Sequence, residues 1–153
     1  MGNYETLNEL LVTLFRDVMD IEQKVIITPE FKDITNNDMH VIEAIGIGEP
    51  KNMSSIAREL SVTVGTLTIA MNSLVKKGYV KRERGEEDRR VVYISLSDKG
   101  KKAFVHHARF HKEMITSIMD EFDDDEKKIL IRGLTKLDNW FKNKEEENKK
   151  NRE

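Results

Sequence analysis

Apolar side chains recur every three or four residues along the first part of the chain, which is the spacing of one face of an α-helix. The first such stripe predicts a helix over about Tyr4–Val25. Thr28-Pro29 ends this helix, because the residue before a proline avoids helical backbone angles. A short second helix follows, capped by Asn36 or Asn37 and ended by Gly46. The chain therefore opens with one long helix and one short helix.

The pattern next predicts two short helices that meet at a tight joint. Met53–Leu60 carries the apolar positions of the first helix, and Ser61-Val62-Thr63 forms the turn. Thr63 is a suitable N-cap for an amphipathic second helix, which Gly78 ends. This arrangement is a helix-turn-helix, whose second helix can enter the major groove of duplex DNA.

Further along, the period changes from helical to alternating. Tyr79–Arg84 and Val91–Leu96 are rich in β-branched and aromatic residues, so they predict a two-stranded hairpin with a charged tip. Ser97 caps a long fifth helix, and a sixth begins at the acidic run 123–125. Residues 146–153 have no apolar side chain and predict a disordered tail. The predicted fold class is mainly α with a small β wing: a winged helix-turn-helix of six helices and a two-stranded hairpin.

Charge is distributed unevenly along this chain. The formal net charge of −2 argues by itself against nucleic-acid binding. Residues 51–102, however, carry a balance of +6, and the rest of the chain carries −8. A basic middle between acidic ends is the pattern expected when one segment approaches phosphates.

The composition excludes several classes of protein. Because none of the 153 residues is cysteine, disulfides, thiol redox switches and thiolate zinc sites are excluded. No apolar run approaches membrane-spanning length, and the acidic start is unlike a signal peptide. We therefore expect a cytoplasmic protein without a membrane partner. We also expect no enzyme activity, because no nucleophile–base set, phosphate loop or carboxylate pair is recognisable.

The outward face of the second helix of the helix-turn-helix carries side chains that suit base edges and phosphates. Hydroxyl and amide groups can form hydrogen bonds there, and an exposed isoleucine can meet a thymine methyl group. The DNA contacts predicted in this segment are Thr63, Gly65, Thr66, Thr68, Ile69, Asn72 and Lys76.

The hairpin predicts a second set of DNA contacts, since a narrow minor groove favours an inserted arginine. Asp88 lies two residues before Arg90, where its carboxylate can hold that side chain in one rotamer. The predicted contacts are Arg82, Arg84, Asp88, Arg89 and Arg90. A winged-helix module that binds protein is the alternative, but such a surface has no need of four arginines.

Four segments carry a recognisable combination of motifs: Met53–Leu60, Leu74–Val80, Asp88-Arg89-Arg90 and Ile94–Gly100. This combination resembles the MarR family of winged helix-turn-helix transcriptional regulators. The resemblance implies an intertwined homodimer that acts as a repressor on a pseudo-palindromic operator in double-stranded DNA. It also implies a helical dimerisation region in residues 1–33 and 100–145, and a DNA-binding domain in residues 34–99.

A narrower set of motifs lies outside the wing: Leu7–Phe15, Ile21-Glu22, Phe31–Thr35, Met39-His40 and Arg109–Lys112. These segments are similar to the fatty-acid-synthesis repressors of that family, the FabT type. In that group, long-chain acyl groups on acyl carrier protein act as corepressor and strengthen operator binding. The resemblance implies an apolar tunnel for the acyl chain, although each lining residue also suits an ordinary core. The implied lining is Phe15, Val18, Met19, Met39, Ile42 and Phe104.

The histidines leave a second effector open. His107 and His111 are four residues apart, the spacing at which two imidazoles on one helix share a metal ion. Zinc-responsive members of the MarR family use a comparable Glu/His set, for which Glu22 and His40 supply the remaining positions. A zinc-responsive or small-molecule-responsive repressor is therefore the alternative, and buried hydrogen bonding is the structural role that such histidines most commonly have.

Overall fold

The computed structural model describes residues 2–151. This part of the chain contains six helices and three short strands. The helices are α1 Asn3–Ile26, α2 Asn36–Ile45, α3 Met53–Glu59, α4 Val64–Lys77, α5 Asp98–Asp120 and α6 Asp124–Lys150. The strands are β1 Lys51–Asn52, β2 Val80–Arg84 and β3 Val92–Leu96. The predicted winged helix-turn-helix is confirmed.

The chain divides into two units by internal packing, one ending at Phe110 and the other starting at His111. This division describes packing within one chain. The predicted dimerisation region, residues 1–33 and 100–145, and the predicted DNA-binding domain, residues 34–99, therefore stay predictions.

The core of the first unit is formed by α2, α3, α4 and the sheet. Each helix contributes one apolar stripe, as in α4, where Leu67, Met71 and Leu74 are buried. Burying an aliphatic side chain of this size stabilises a fold by about 1.5–3 kcal/mol. The largest fully buried side chains are Met39, Ile42, Ile56, Leu67, Met71, Leu74, Tyr79 and Ile94.

The sheet has three antiparallel strands in the order β1-β3-β2, whereas the sequence predicted two. The third strand, β1, is only two residues long and so has no alternating pattern to detect. Asn52 pairs with Tyr93 of β3, and its side chain also caps α3 by accepting a hydrogen bond from the backbone N–H of Ser55 at 2.8 Å. The wing is thereby attached directly to the first helix of the helix-turn-helix.

The N-cap of α2 is Thr35, not Asn36 or Asn37 as predicted. The Thr35 hydroxyl accepts from the N–H of Asp38 at 3.1 Å, and the Asp38 carboxylate accepts from the N–H of Thr35 at 3.0 Å. This reciprocal capping box satisfies two donors, which a single asparagine cap does not.

The end of α4 forms a crowded junction. Gly78 has a φ of 87°, in the left-handed region, and turns the chain into β2. Tyr79 follows, fully buried, with its hydroxyl 2.9 Å from Asp33 Oδ1 and the Lys99 ammonium 4.4 Å from its ring centroid. Burial and the hydrogen bond to Asp33 raise the pKa of the Tyr79 hydroxyl above its usual range. The tyrosine hydroxyl therefore stays protonated and donates a hydrogen bond to the Asp33 carboxylate.

In the second unit, α6 begins at a capping box formed by Asp123 and Glu126. The sequence predicted a disordered tail from residue 146, but α6 continues to Lys150. Ion pairs one helical turn apart, Lys144–Glu147 and Lys149–Glu145, give the polar end of the helix local support. The rest of the predicted tail, residues 152 and 153, lies outside the described residues.

Two helices expose apolar stripes. On α1, Leu10, Leu14 and Phe15 are each more than half exposed. On α6, none of the described residues is buried, although the helix carries Trp140 and other large apolar side chains. No helix within residues 2–151 combines the length and the apolar character that crossing a membrane requires.

Replacing Gly100 with alanine tests the junction at Tyr79. A Cβ atom at Gly100 would overlap the backbone carbonyl oxygen of Tyr79, which cannot move without shifting the end of α4. We expect Gly100→Ala to lower the free energy of unfolding by about 1–3 kcal/mol, the usual cost of overpacking, in denaturant titrations. Gly65→Ala is the matched control, because its Cβ would meet Thr63 Oγ1 at an ordinary 3.9 Å. Equal stability of the two variants would contradict the packing described.

Candidate nucleic-acid interface

The start of α4 is organised by two threonines. The hydroxyl of Thr63, the N-cap, accepts from the N–H of Thr66 at 3.1 Å and donates to the Thr66 hydroxyl at 2.9 Å. A hydroxyl that accepts a hydrogen bond still has its own proton to donate. Thr66 is exposed, so it is positioned to donate to a phosphate or a base edge.

The outward face of α4 presents the other residues that the sequence predicted for this helix. Ile69 is 75% exposed, which is unusual for an isoleucine on a helix with a complete buried stripe. Gly65, Asn72 and Lys76 are exposed as well. Thr68 is half-buried, and its hydroxyl donates to the Val64 carbonyl at 2.8 Å, so it contributes less to this face than predicted.

An ion pair fixes the far end of α4. The Lys77 ammonium lies 2.8 Å from Asp38 Oδ2, and the Asp38 side chain is nearly buried. The same carboxylate forms part of the capping box of α2, so the two helices share one acidic group. Removing Lys77 would leave the nearly buried Asp38 carboxylate without its cation, which destabilises the fold. This pair was not predicted, because its partners are 39 residues apart and no local pattern links them.

The wing and α4 are joined by a hydrogen bond between two predicted DNA contacts. Arg82 Nη2 donates to Asn72 Oδ1 at 2.7 Å. Because the amide oxygen is engaged, the amide nitrogen of Asn72 is left with its donors, which suit the acceptors on purine edges in the major groove. The sequence had placed the two residues on separate elements without indicating that they meet.

The tip of the wing carries the pair that the sequence predicted. Arg90 contacts both carboxylate oxygens of Asp88 at 3.1 Å, and its backbone N–H donates to the same carboxylate at 3.0 Å. These hydrogen bonds from Arg90 lower the pKa of the Asp88 carboxyl. The Arg90 side chain is 92% exposed, so it is oriented yet free to meet a ligand. Arg84 and Arg89 are exposed beside it.

The six residues implied for an acyl tunnel lie in different environments. Met39 and Ile42 are fully part of the core, and Phe104 packs against that core. Val18 is half-buried, whereas Met19 and Phe15 are exposed on α1. Within one chain, Met39 and Ile42 have the ordinary structural role, and the binding role of all six stays a prediction.

The histidines lie in a network of acidic residues. Within the first unit, Glu22 and His107 are both buried, with possible ligand atoms within 4.8 Å of each other. His107 Nε2 is also 2.8 Å from Glu43 Oε1. His40 Nδ1 is 3.8 Å from the other oxygen of Glu43. The sequence analysis missed Glu43, although its position three residues after His40 was a detectable signal.

The profile of the transcriptional regulator SarA/Rot family matches residues 24–106, more than half of the chain. The chain belongs to this family. The matched region contains the helix-turn-helix and the wing, so the surface described above lies in the part that defines the family. SarA/Rot regulators have the MarR-like winged-helix fold, and their relatives are transcriptional regulators rather than enzymes. The protein is a DNA-binding transcriptional regulator of this type.

Individual relatives agree with the SarA/Rot assignment. FabT of Streptococcus pneumoniae, solved in complex with DNA, is 38% identical with a TM-score of 0.87, over 92% of this chain and 99% of FabT. SarZ of Staphylococcus haemolyticus is 31% identical over 129 residues, which are 83% of this chain and 85% of SarZ. PchR of Bacillus subtilis is 28% identical over 102 residues, and that match spans 65% of this chain but only 60% of PchR.

Removing the arginine at the tip of the wing tests its role in DNA binding. We expect Arg90→Ala to weaken operator binding by about 1–3 kcal/mol, which corresponds to about fivefold to 150-fold, while the oligomeric state stays unchanged. Asp88→Asn should give a smaller loss, since it removes only the group that orients Arg90. Fluorescence anisotropy with labelled operator measures both, and Arg16→Ala on α1 is the control. Unchanged affinity of Arg90→Ala would rule out the wing as a DNA contact.

Changes on the outward face of α4 should act on sequence preference. We expect Thr66→Ala and Asn72→Ala to reduce discrimination at the matching base positions by about 1–3 kcal/mol while affecting non-specific DNA much less. Arg82→Ala should reproduce part of the Asn72→Ala effect, because it releases the amide. Binding to a library of operator variants measures the preference. If Thr66→Ala bound every sequence as the wild type does, the assignment of this face would be wrong.

Proposed function

We propose that this regulator represses fatty-acid synthesis genes and that long-chain acyl groups on acyl carrier protein are its corepressor. The observation that carries the proposal is the 38% identity to FabT over nearly the whole of both chains. The similarity to that branch includes segments outside α4 and the wing, such as Phe31–Thr35 and Arg109–Lys112. These segments lie outside the predicted DNA contacts, so a shared effector is one role that their similarity supports.

The proposal includes a homodimer. A single chain leaves the apolar stripe of α1 exposed at Leu10, Leu14 and Phe15, and it leaves Trp140 and Phe141 of α6 more than half exposed. Soluble chains rarely leave such stripes in water, so a second copy is the natural cover. Two copies related by a two-fold axis would present two winged modules to a pseudo-palindromic operator.

The acyl chain supplies the free energy for corepression. Each buried methylene contributes about 0.8 kcal/mol, so long chains bind far more tightly than short ones wherever an apolar lining exists. Phe15 and Met19, exposed on α1, and the half-buried Val18 and Phe104 have unburied apolar area to offer. The corepressor strengthens DNA binding only to the extent that it prefers the DNA-binding conformation.

Zinc is the second candidate effector, favoured by the buried Glu22 and His107. Carboxylate and imidazole groups suit Zn²⁺, and His111 lies one turn further along α5. A metal ion bound through His107 Nε2 would have to replace the 2.8 Å contact of that nitrogen with Glu43 Oε1, whereas a metal ion bound through Nδ1 would leave that contact in place. The 38% identity to FabT makes zinc the weaker candidate of the two.

Operator binding with purified effectors tests the proposal. The DNA just upstream of the protein's own gene is titrated with the protein alone, with long-chain acyl carrier protein, with unacylated carrier and with Zn²⁺. We expect the long-chain acyl carrier to tighten binding about fivefold or more, the usual range of allosteric coupling, and the unacylated carrier to have little effect.

The other outcomes decide between the effectors. A response to Zn²⁺ alone, abolished in His107→Gln, would replace the acyl corepressor with a metal at Glu22, His40, His107 and His111. No response to either effector would overturn both, while leaving the protein a DNA-binding regulator.

A further inference from the structure

A cleft of about 430 Å³ lies between the wing and the starts of α3 and α4, within the first unit. Both helices of the helix-turn-helix contribute their first residues to it, and the wing contributes the segment between its tip and β3. A cleft of this volume holds a drug-sized group, so it has room for a sugar and its phosphate. The residues that matter here are Met53, Ser54, Val64, Arg90, Val91 and Val92.

The cleft lies between two parts of the DNA-binding surface. On one side, Val64 directly follows the cap Thr63 at the start of α4, and it is 45% exposed. On the other side, Arg90 at the tip of the wing is held by Asp88 and extends into solvent. A helix in the major groove and an arginine in the adjacent minor groove are separated by one sugar–phosphate strand, because each strand of the duplex divides the two grooves. The cleft is therefore continuous with the DNA-binding surface on both sides.

The chemistry of the cleft suits such a strand. Its floor is apolar, because the half-buried side chains of Met53, Val91 and Val92 line it, and it can pack against the carbon atoms of a deoxyribose. Ser54 is exposed, so its hydroxyl can donate to a phosphate oxygen. Arg90 is the one charged side chain among the described residues that line the cleft, so no carboxylate of the lining opposes a phosphate.

The other face of the wing carries a second cleft, of about 360 Å³, with the opposite charge. Successive residues of a strand point to opposite faces of a sheet, so Val92 lines the first cleft and Tyr93 the second. Three carboxylates line this second cleft, those of Glu49, Glu83 and Glu86. Arg84 is the one cation among the described residues of its lining. Because the carboxylates repel phosphates, a DNA strand has one favourable path past the wing, along the side of Arg90.

We propose that the cleft between the wing and the helix-turn-helix holds the sugar–phosphate strand that runs between the two grooves of the operator. Ser54 donates a hydrogen bond to a phosphate of this strand, and Val64 packs against a neighbouring deoxyribose. Neither residue is among the DNA contacts that the sequence predicted. The inference adds the start of α3 to the DNA-binding surface, and it does not depend on the effector to which the regulator responds.

A negative charge in the cleft tests the path of the strand. In the full-length protein, Ser54→Glu places a carboxylate against the proposed phosphate, and we expect operator affinity, measured by fluorescence anisotropy, to fall about tenfold or more. An acidic residue in the first turn favours a helix, so this change does not weaken α3 itself. Ser95→Glu is the matched control, because it makes the same change on the face of the wing that carries Tyr93, and it should bind close to the wild type. Equal affinities of the two variants would overturn the proposal.

Operators with single uncharged phosphates test the Ser54 contact itself. Each phosphate in turn is replaced by a methylphosphonate, and affinity is measured for the wild type, Ser54→Ala and the control Ser95→Ala. We expect Ser54→Ala to bind the unmodified operator about threefold to tenfold more weakly, and to lose little more when one particular phosphate is neutral, because both changes remove the same hydrogen bond. Ser95→Ala should show no such coupling. If the effect of Ser54→Ala adds independently to that of every methylphosphonate, or if the control couples equally, Ser54 contacts no phosphate and the proposal fails.

Discussion

The position of the DNA-reading helix depends on the packing around one buried tyrosine. Tyr79 is the first residue after Gly78, which ends α4, and its backbone carbonyl accepts from the N–H of Ser97 at the start of α5. Gly100 packs against the same carbonyl because it has no Cβ, and the hydroxyl reaches Asp33 in the segment before α2. One side chain and its carbonyl therefore tie the end of α4 to α5 and to the segment between α1 and α2.

This anchored scaffold presents side chains that are already paired before DNA arrives. Thr66 is bonded to Thr63, and the exposed Arg90 is held by Asp88. Ordering a long side chain at an interface costs about 0.5–1.5 kcal/mol, so prior pairing reduces the free-energy cost of binding. The pairing also restricts which hydrogen-bonding groups face outward, and this restriction is the physical origin of selectivity on such a surface.

Local signals in the sequence predicted most of the fold. The Thr63 cap and the Gly78 stop place α4 because both act within one helical turn, and Ser97 likewise starts α5 through a hydrogen bond to the N–H of Gly100. Long-range contacts left no such signal. The pairing of β1 with β3, the ion pair of Asp38 with Lys77 and the contact of Glu43 with His107 each join distant parts of the chain. Within the candidate site, the sequence predicted the contact of Asp88 with Arg90, two residues apart, but not the contact of Arg82 with Asn72, which lie on different elements.

The double use of Asn52 has a consequence for how this regulator reads DNA. Its backbone pairs with β3 of the wing while its side chain caps α3, so one residue joins the wing to the first helix of the helix-turn-helix. We expect α4 and the tip of the wing to contact DNA at a nearly constant distance from each other. Two contacts at a constant distance are sensitive to the spacing of adjacent grooves, which varies with base sequence even at positions where the protein contacts no base. We therefore expect part of the operator preference of this regulator to come from the shape of the DNA, through the two-residue strand β1 that joins the wing to α3.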